Sequence, residues 1–289
     1  MTTAIRQSEK FLAFDGDCPM CTSTIALLLR LKLVRPEQTR SNHDLEGADL
    51  QCVREAGIRN QLVVLDPETR ETRVGTSGLV WLIGDNLGNP FWMRIWSWPG
   101  FRQLLSFGYE AISYNRRVIS PPRHRVVCDC EPEVTLARRM SLVAPVLLLT
   151  LLFAALFGAG VFQSWQLGDA ASGAWFIAAA ISAGLTTLAL VALVTLRGEQ
   201  RIDYLAHLVI TTFAGTAILL PFALAAIFLP REGAAAAACL SGAGAVAMMF
   251  FMQRRRVAAI GLSSRWLWGW LACLAIGFAL VAYVWLGQV

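Results

Sequence analysis

Two cysteines near the start of the chain have the spacing that dithiol chemistry requires. Cys18 and Cys21 enclose two residues in a Cys-x-x-Cys segment. Residues 10–15 (KFLAFD) predict a short strand before it, and residues 22–33 predict a helix after it. At the helix N-terminus, backbone N–H groups and the helix dipole favour a thiolate at Cys18. Cys21 follows one turn later on the same face. The pair therefore predicts thiol–disulfide exchange, with Cys18 as nucleophile and Cys21 as resolving thiol.

Two aspartates precede the cysteine pair. Asp15 and Asp17 carry negative charge, which opposes a thiolate at Cys18. A carboxylate in this position can also accept a proton from a thiol or cap the N-terminus of the helix. The sequence leaves open which of these effects prevails.

A second pair of cysteines leads to two other hypotheses. Cys128 and Cys130 are separated by one residue, and with Cys18 and Cys21 they would supply four thiolates, enough for zinc or an iron–sulfur cluster. The protein would then be a non-enzymatic membrane scaffold or a subunit of a complex. Cys128 and Cys130 could instead form a second redox pair, since neighbouring cysteines can form a strained disulfide. The strand–helix context favours redox chemistry, which needs no cofactor besides the redox-active disulfide.

The segments after the first helix alternate as in an α/β domain. The order β-α-β-α-β-β-α predicts a thioredoxin-like fold. Ordinary thioredoxins place a cis-proline just before the third strand, facing the Cys-x-x-Cys, whereas residues 57–62 contain no proline. The further predicted strands are residues 37–42, 61–66 and 69–75, and the further predicted helices are residues 45–56 and 76–87.

Residues 14–21 (FDGDCPMC) resemble the signature of the DCC family of thiol-disulfide oxidoreductases, also called DUF393, which opens with a strand and a D-G-x-C-x-x-C element. The resemblance extends through residues 75–82 to residues 109–116 (YEAISYNR), which are similar to the family's tyrosine-rich helix ending in Asn-Arg. It covers roughly residues 9–130. It implies a thioredoxin-like fold, dithiol–disulfide exchange, and a partner that is a thiol or disulfide protein or a low-molecular-weight thiol.

The second half of the chain is too apolar for a soluble domain. The 289 residues are 56% hydrophobic and 16% charged, where about a quarter is usual. Residues 140–289 hold only 7 of the 25 Lys and Arg and 4 of the 20 Asp and Glu. We expect a domain at residues 1–130, a basic and polar linker at 131–141, and a transmembrane domain at 142–289. Five charge-free stretches predict an all-α bundle with helices near 142–162, 174–196, 207–229, 234–252 and 267–286.

The distribution of arginines predicts how the bundle is oriented. Five crossings put the N-terminal domain and the loops at 197–203 and 253–266 on one side, with eight flanking arginines against Arg231 alone on the other. This bias predicts a multi-pass protein of a bacterial-type inner membrane, with a cytoplasmic N-terminal domain and the C-terminus outside. The expected partners are the lipid bilayer and, as a further candidate, a larger membrane complex. A net charge of +2 on residues 1–139 and the lack of a reader motif argue against nucleic acid.

Three further expectations concern the junction and the spans. Residues 91–109 predict an amphipathic helix, either on the membrane surface or packed on the N-terminal domain. Arg116, Arg117, Arg123 and Arg125 predict a basic run suited to anionic lipid head groups. The predicted spans contain no charged side chain, which disfavours an ion-driven transporter.

Overall fold

The chain forms two compact units in a computed structural model. The first unit is Met1–Arg138 and the second is Arg139–Val289. The structure describes residues 10–58, 61–88, 90–96, 98–121, 135–165, 169–226 and 228–286.

A four-stranded mixed sheet forms the centre of the first unit. Its strands are β1 (Phe11–Phe14), β2 (Thr39–Ser41), β3 (Val63–Leu65) and β4 (Thr72–Val74), in the spatial order β2-β1-β3-β4. β1 pairs parallel with β2 and antiparallel with β3, and β3 pairs antiparallel with β4. β1 and β3 are apolar on both faces because they occupy the middle of the sheet, where helices cover both sides.

Helices lie on the two faces of this sheet. Phe11 and Ala13 of β1 face a core cluster that includes Val53 of the second helix. Leu12, between them, faces a separate cluster with Ile25 and Leu82 of the first and third helices. This arrangement confirms the predicted thioredoxin-like α/β domain. The helices are α1 (Pro19–Arg30), α2 (Gly47–Ala56), α3 (Gly75–Leu87), α4 (Pro90–Trp96), α5 (Pro99–Tyr114) and α6 (Arg116–Ile119), with 3-10 turns at Pro36–Gln38 and Asn42–Asp44.

The predicted amphipathic helix at residues 91–109 is divided between α4 and α5. Pro99 occupies the first turn of α5, where its missing N–H leaves no hydrogen bond unmade. One face of α5 packs on α3, where Ser106 Oγ lies 2.9 Å from Thr76 Oγ1. The opposite face leaves Leu104 and Phe107 exposed.

The second unit consists of long apolar helices. Its helices are α7 (Leu136–Trp165), α8 (Ala170–Thr195), α9 (Gly198–Ala226), α10 (Arg231–Ala259) and α11 (Arg265–Leu286). The first three residues of α7 belong to the first unit, which ends at Arg138. Within the described residues, four helices are long and apolar enough to cross a membrane, and α11 adds a shorter described apolar stretch, Arg265–Ile276. The predicted bundle of about five apolar helices is therefore confirmed. The four candidate spans are Leu136–Gln163, Ala170–Thr195, Gly198–Pro221 and Glu232–Ala259.

Several boundaries differ from the predicted ones. α9 begins at Gly198, so residues 198–203, which were predicted as a loop, belong to a helix. α7 begins at Leu136, inside the segment predicted as a linker. α10 continues to Ala259, so Arg256 belongs to a helix rather than a loop. Arg256 is buried and its Nη1 lies 2.9 Å from His207 Nδ1 of α9. Arg256 lies beyond the predicted span at 234–252, so this contact does not contradict the expectation that the spans are free of charge. A histidine on the neighbouring helix provides a polar partner for the guanidinium.

Candidate active site

Cys18 is the N-cap residue of α1. Its backbone is extended, with φ −86° and ψ 112°, and its Sγ accepts the backbone N–H of Cys21 at 3.4 Å. Pro19 follows at the first helical position, where no N–H is needed. Cys18 is buried, Cys21 is half-buried, and both are free thiols. The helix start therefore directs a backbone donor at the sulfur of Cys18.

The loop before Cys18 is fixed by hydrogen bonds from its own backbone. Gly16 N–H donates to Asn42 Oδ1 at 3.0 Å, and Asp17 N–H donates to Asp15 Oδ1 at 3.0 Å. A Cβ at position 16 would lie 2.4 Å from Ser41 Oγ, so only glycine fits without displacing that side chain. These contacts hold the end of β1 and the start of α1 in one arrangement.

A buried ion pair lies within electrostatic range of both thiols. Arg116 Nη2, at the start of α6, is 3.4 Å from Asp15 Oδ2, and each residue is only 3% exposed. The expectation that Arg116 faces lipid head groups is wrong, because a buried carboxylate this close to the thiols requires a cationic partner. Arg116 is a site residue that the sequence did not predict, although it ends the Asn-Arg element of the family resemblance.

The two aspartates have different surroundings. Asp15 is buried and pairs with Arg116, whereas Asp17 is half-buried and its Oδ2 lies 3.1 Å from His43 Nε2. The N-cap position itself belongs to Cys18. The geometry therefore shows Asp15 in an ion pair, and the function of Asp15 as a proton acceptor stays a prediction.

The environment separates the two thiols by acidity. The hydrogen bond from the Cys21 thiol is the largest cause that lowers the pKa of Cys18, from 9.0 to about 6, although burial opposes it. The Cys21 backbone N–H and the charge of Arg116 lower this pKa further, and Asp15 raises it. The pKa of Cys21 is raised, first by its hydrogen bond to Cys18 and then by burial. Cys18 is therefore the thiol that ionises first.

Tyr109 of α5 lies within electrostatic range of Cys21 and Arg116. Its hydroxyl accepts the backbone N–H of Leu62 at 2.8 Å, just before β3. Its ring packs against Gly75, where an added Cβ would lie 2.9 Å from Tyr109 Cε1 and where φ is +59°. Burial is the largest cause that raises the pKa of Tyr109 to about 12, and the charge of Cys21 contributes to the rise. In the sequence, Tyr109 stands out only as part of the family resemblance.

The second cysteine pair, Cys128 and Cys130, lies outside the described residues. Within the part of the chain that the structure describes, no group of three or more His, Cys, Asp or Glu side chains could hold a metal ion. The four-thiolate metal site and the second redox pair both depend on Cys128 and Cys130, so they stay predictions.

The low pKa of Cys18 leads to a pH-dependent prediction. Only the thiolate reacts with iodoacetamide, so the alkylation rate of Cys18 should fall as pH drops through about 6 and level off above it. A cysteine in a free peptide, with a pKa of about 8.5, provides the reference. The measurement is the initial rate of Cys18 alkylation in the full chain, followed by mass spectrometry from pH 4.5 to 9. A midpoint that coincides with that of the free peptide would show that the site does not activate this thiol.

Residues 12–121 match the model of the DCC1-like thiol-disulfide oxidoreductase family. The matched segment includes the Cys-x-x-Cys and extends to α6, and it confirms the resemblance inferred from the sequence. It supports a thiol-disulfide oxidoreductase role for the chain, with thiols as substrates, and the apolar helices make membrane anchoring plausible. A search of the curated proteins and a search of the solved structures gave no match.

Proposed function

We propose that this chain is a membrane-anchored thiol-disulfide oxidoreductase in which Cys18 is the nucleophile and Cys21 the resolving thiol. The observation that carries the proposal is the position of Cys18 Sγ at the N-cap of α1, where it accepts the Cys21 N–H and its pKa falls to about 6. At pH 7 about nine-tenths of such a thiol is thiolate, compared with a few per cent of an ordinary cysteine. The sulfur therefore reacts without a separate base.

The reaction in the reductive direction has two steps. The Cys18 thiolate attacks one sulfur of a substrate disulfide, forms a mixed disulfide and releases the other sulfur as a thiolate. Cys21 then loses its proton and attacks Cys18 Sγ, which releases the second substrate sulfur. Two electrons pass to the substrate and leave a Cys18–Cys21 disulfide. An external dithiol must reduce that disulfide to complete a cycle, and no organic cofactor or metal takes part.

Asp15 is our candidate for the group that receives the proton of Cys21. The pKa of Cys21 is raised, so the second step needs a base, and Asp15 is a buried carboxylate within electrostatic range of this thiol. Arg116 forms an ion pair with Asp15, and its positive charge lowers the pKa of Cys18. Arg116 is thus a positioning and electrostatic residue that does not itself react.

The membrane helices suggest where the reaction takes place. The arginine bias around the spans supports an inner membrane of bacterial type, with the N-terminal domain in the cytoplasm and the C-terminus outside. Cytoplasmic thiols are kept reduced, which favours a dithiol resting form and disulfide reduction. The partner is a disulfide-containing protein or a low-molecular-weight disulfide, and the bundle anchors the domain in the bilayer or in a larger complex.

A single-turnover experiment tests this function. The reduced full chain in detergent, mixed with one equivalent of glutathione disulfide, should release two glutathione molecules and become oxidised at Cys18 and Cys21. Changing Cys18 to Ser should lower the rate by at least about a thousandfold, because the nucleophile is lost. Cys52→Ala, which removes a thiol packed beside the α2 core cluster, serves as the matched control and should keep the rate. Equal rates for Cys18→Ser and the unchanged chain would refute the assignment.

A further inference from the structure

The backbone just before β3 has both of its hydrogen-bonding groups occupied within the N-terminal domain. Leu62 N–H donates to the Tyr109 hydroxyl at 2.8 Å, and Leu62 C=O accepts the N–H of Gly75 at 2.9 Å. The Leu62 side chain is buried in the cluster that also holds Ile25 of α1. Leu62 therefore has no free N–H, and its C=O already accepts one hydrogen bond.

The position of Tyr109 relates this closed segment to the thiols. Its hydroxyl lies within electrostatic range of both Cys21 and Arg116. Its ring is held against Gly75, which has no room for a Cβ on that side. A tyrosine hydroxyl from α5 therefore occupies the N–H of Leu62, the residue before β3, within electrostatic range of Cys21.

This closure has a consequence for substrate recognition. An extended polypeptide docks on a strand or strand-like segment through main-chain hydrogen bonds, and these supply much of its affinity. Leu62 cannot donate such a bond while the Tyr109 hydroxyl accepts its N–H, and its C=O is already bonded to Gly75 N–H. A small disulfide needs no such bonds, since it reaches the sulfur of Cys18 with its own sulfur and a few neighbouring atoms.

We propose that Tyr109 is a specificity-determining residue, which closes the Leu62 backbone against extended polypeptides and restricts the site to low-molecular-weight disulfides. The inference rests on the proposed function and names its substrate class. A protein disulfide that docks through its backbone is the alternative outcome of the test.

The length of a peptide substrate tests the inference in the unchanged chain. The substrates are two peptides of three and nine residues, each joined through one cysteine to glutathione, with glutathione disulfide as reference. The reduced full chain in detergent should cleave all three with second-order rate constants that agree within about twofold, because flanking backbone adds no contact. A rate constant that rises tenfold or more from three to nine residues would overturn the inference.

The variant Tyr109→Phe supplies the second measurement, since it removes one oxygen and frees Leu62 N–H. The ratio compared is the rate constant for the nine-residue peptide divided by that for the three-residue peptide. One added main-chain hydrogen bond should raise this ratio about three- to tenfold. Tyr114→Phe, in the same helix, is the matched control and should leave the ratio unchanged. A Tyr109→Phe ratio equal to that of the unchanged chain would contradict the inference.

The experiment distinguishes failure of the proposed function from failure of the inference about Tyr109. If the unchanged chain cleaves none of the three disulfides, the proposed function itself fails. If it cleaves all of them but strongly prefers the longer peptide, only the inference about Tyr109 fails. Should Tyr109→Phe not fold, as judged by circular dichroism, the length series with the unchanged chain decides alone.

Discussion

The Cys21→Ser chain should accumulate a mixed disulfide on Cys18 when it is mixed with glutathione disulfide. Cys18 keeps its place at the N-cap of α1, but no thiol one turn away can displace the bound glutathione. An intramolecular thiol acts at a high effective concentration, so its loss should lengthen the lifetime of the adduct by at least about a hundredfold. Mass spectrometry under non-reducing conditions would detect one glutathionyl group and locate it by peptide mapping.

The reciprocal variant provides the control for this trapping experiment. In Cys18→Ser the other thiol of the pair, Cys21, lies at the third residue of the helix and not at its N-cap, so little adduct should form on it. Glutathione found on Cys21 in place of Cys18 would reverse the assignment of the two thiols. If the adduct had the same lifetime in Cys21→Ser as in the unchanged chain, Cys21 would not be the resolving thiol.

Changing Arg116 to Met should have the second-largest effect, because it leaves Asp15 buried without its cation. Removing one partner of a buried ion pair typically costs about 3–5 kcal/mol of stability. The same change removes a positive charge that lowers the pKa of Cys18, so the alkylation midpoint of this thiol should move upward. Urea-dependent proteolysis of the N-terminal domain in the solubilised chain measures the stability, and the alkylation profile measures the pKa.

Two further variants separate charge from packing at this site. The double variant Asp15→Asn/Arg116→Met removes both charges and should recover most of the lost stability, since no buried charge then lacks a partner. Arg117→Met removes the charge of the neighbouring half-buried arginine but keeps the ion pair of Asp15 and Arg116, and it should leave the alkylation midpoint in place. If Arg116→Met unfolded at the same urea concentration as the unchanged chain, the ion pair would have no structural importance.

The parts of the structure that the sequence predicted well depend on local patterns. Cys18 and Cys21 are three residues apart, so a single helix start defines their geometry. The strands at Phe11–Phe14 and Val63–Leu65 are short apolar runs, and their order along the chain indicated the fold. The membrane helices followed from the length of their apolar stretches alone.

The parts that were missed depend on contacts between distant residues. Asp15 and Arg116 are 101 positions apart, and Leu62 and Tyr109 are 47 positions apart. No local pattern encodes such pairs, and Arg116 stands beside Arg117, so it was interpreted as part of a basic surface. One signal was present: a carboxylate at the end of a buried strand needs a partner, and the arginine of the Asn-Arg element was a candidate.

A redox titration of the full chain tests the central claim most directly. The protein would be equilibrated in glutathione buffers of graded potential, its remaining thiols alkylated and counted by mass spectrometry, and its metal content measured in parallel. We predict that the free thiols of Cys18 and Cys21 disappear and return together in one reversible two-electron step. The ratio of oxidised to reduced protein should change tenfold for about every 30 mV. Two thiols that stay unoxidised across the whole range, together with about one tightly bound zinc per chain, would contradict the account.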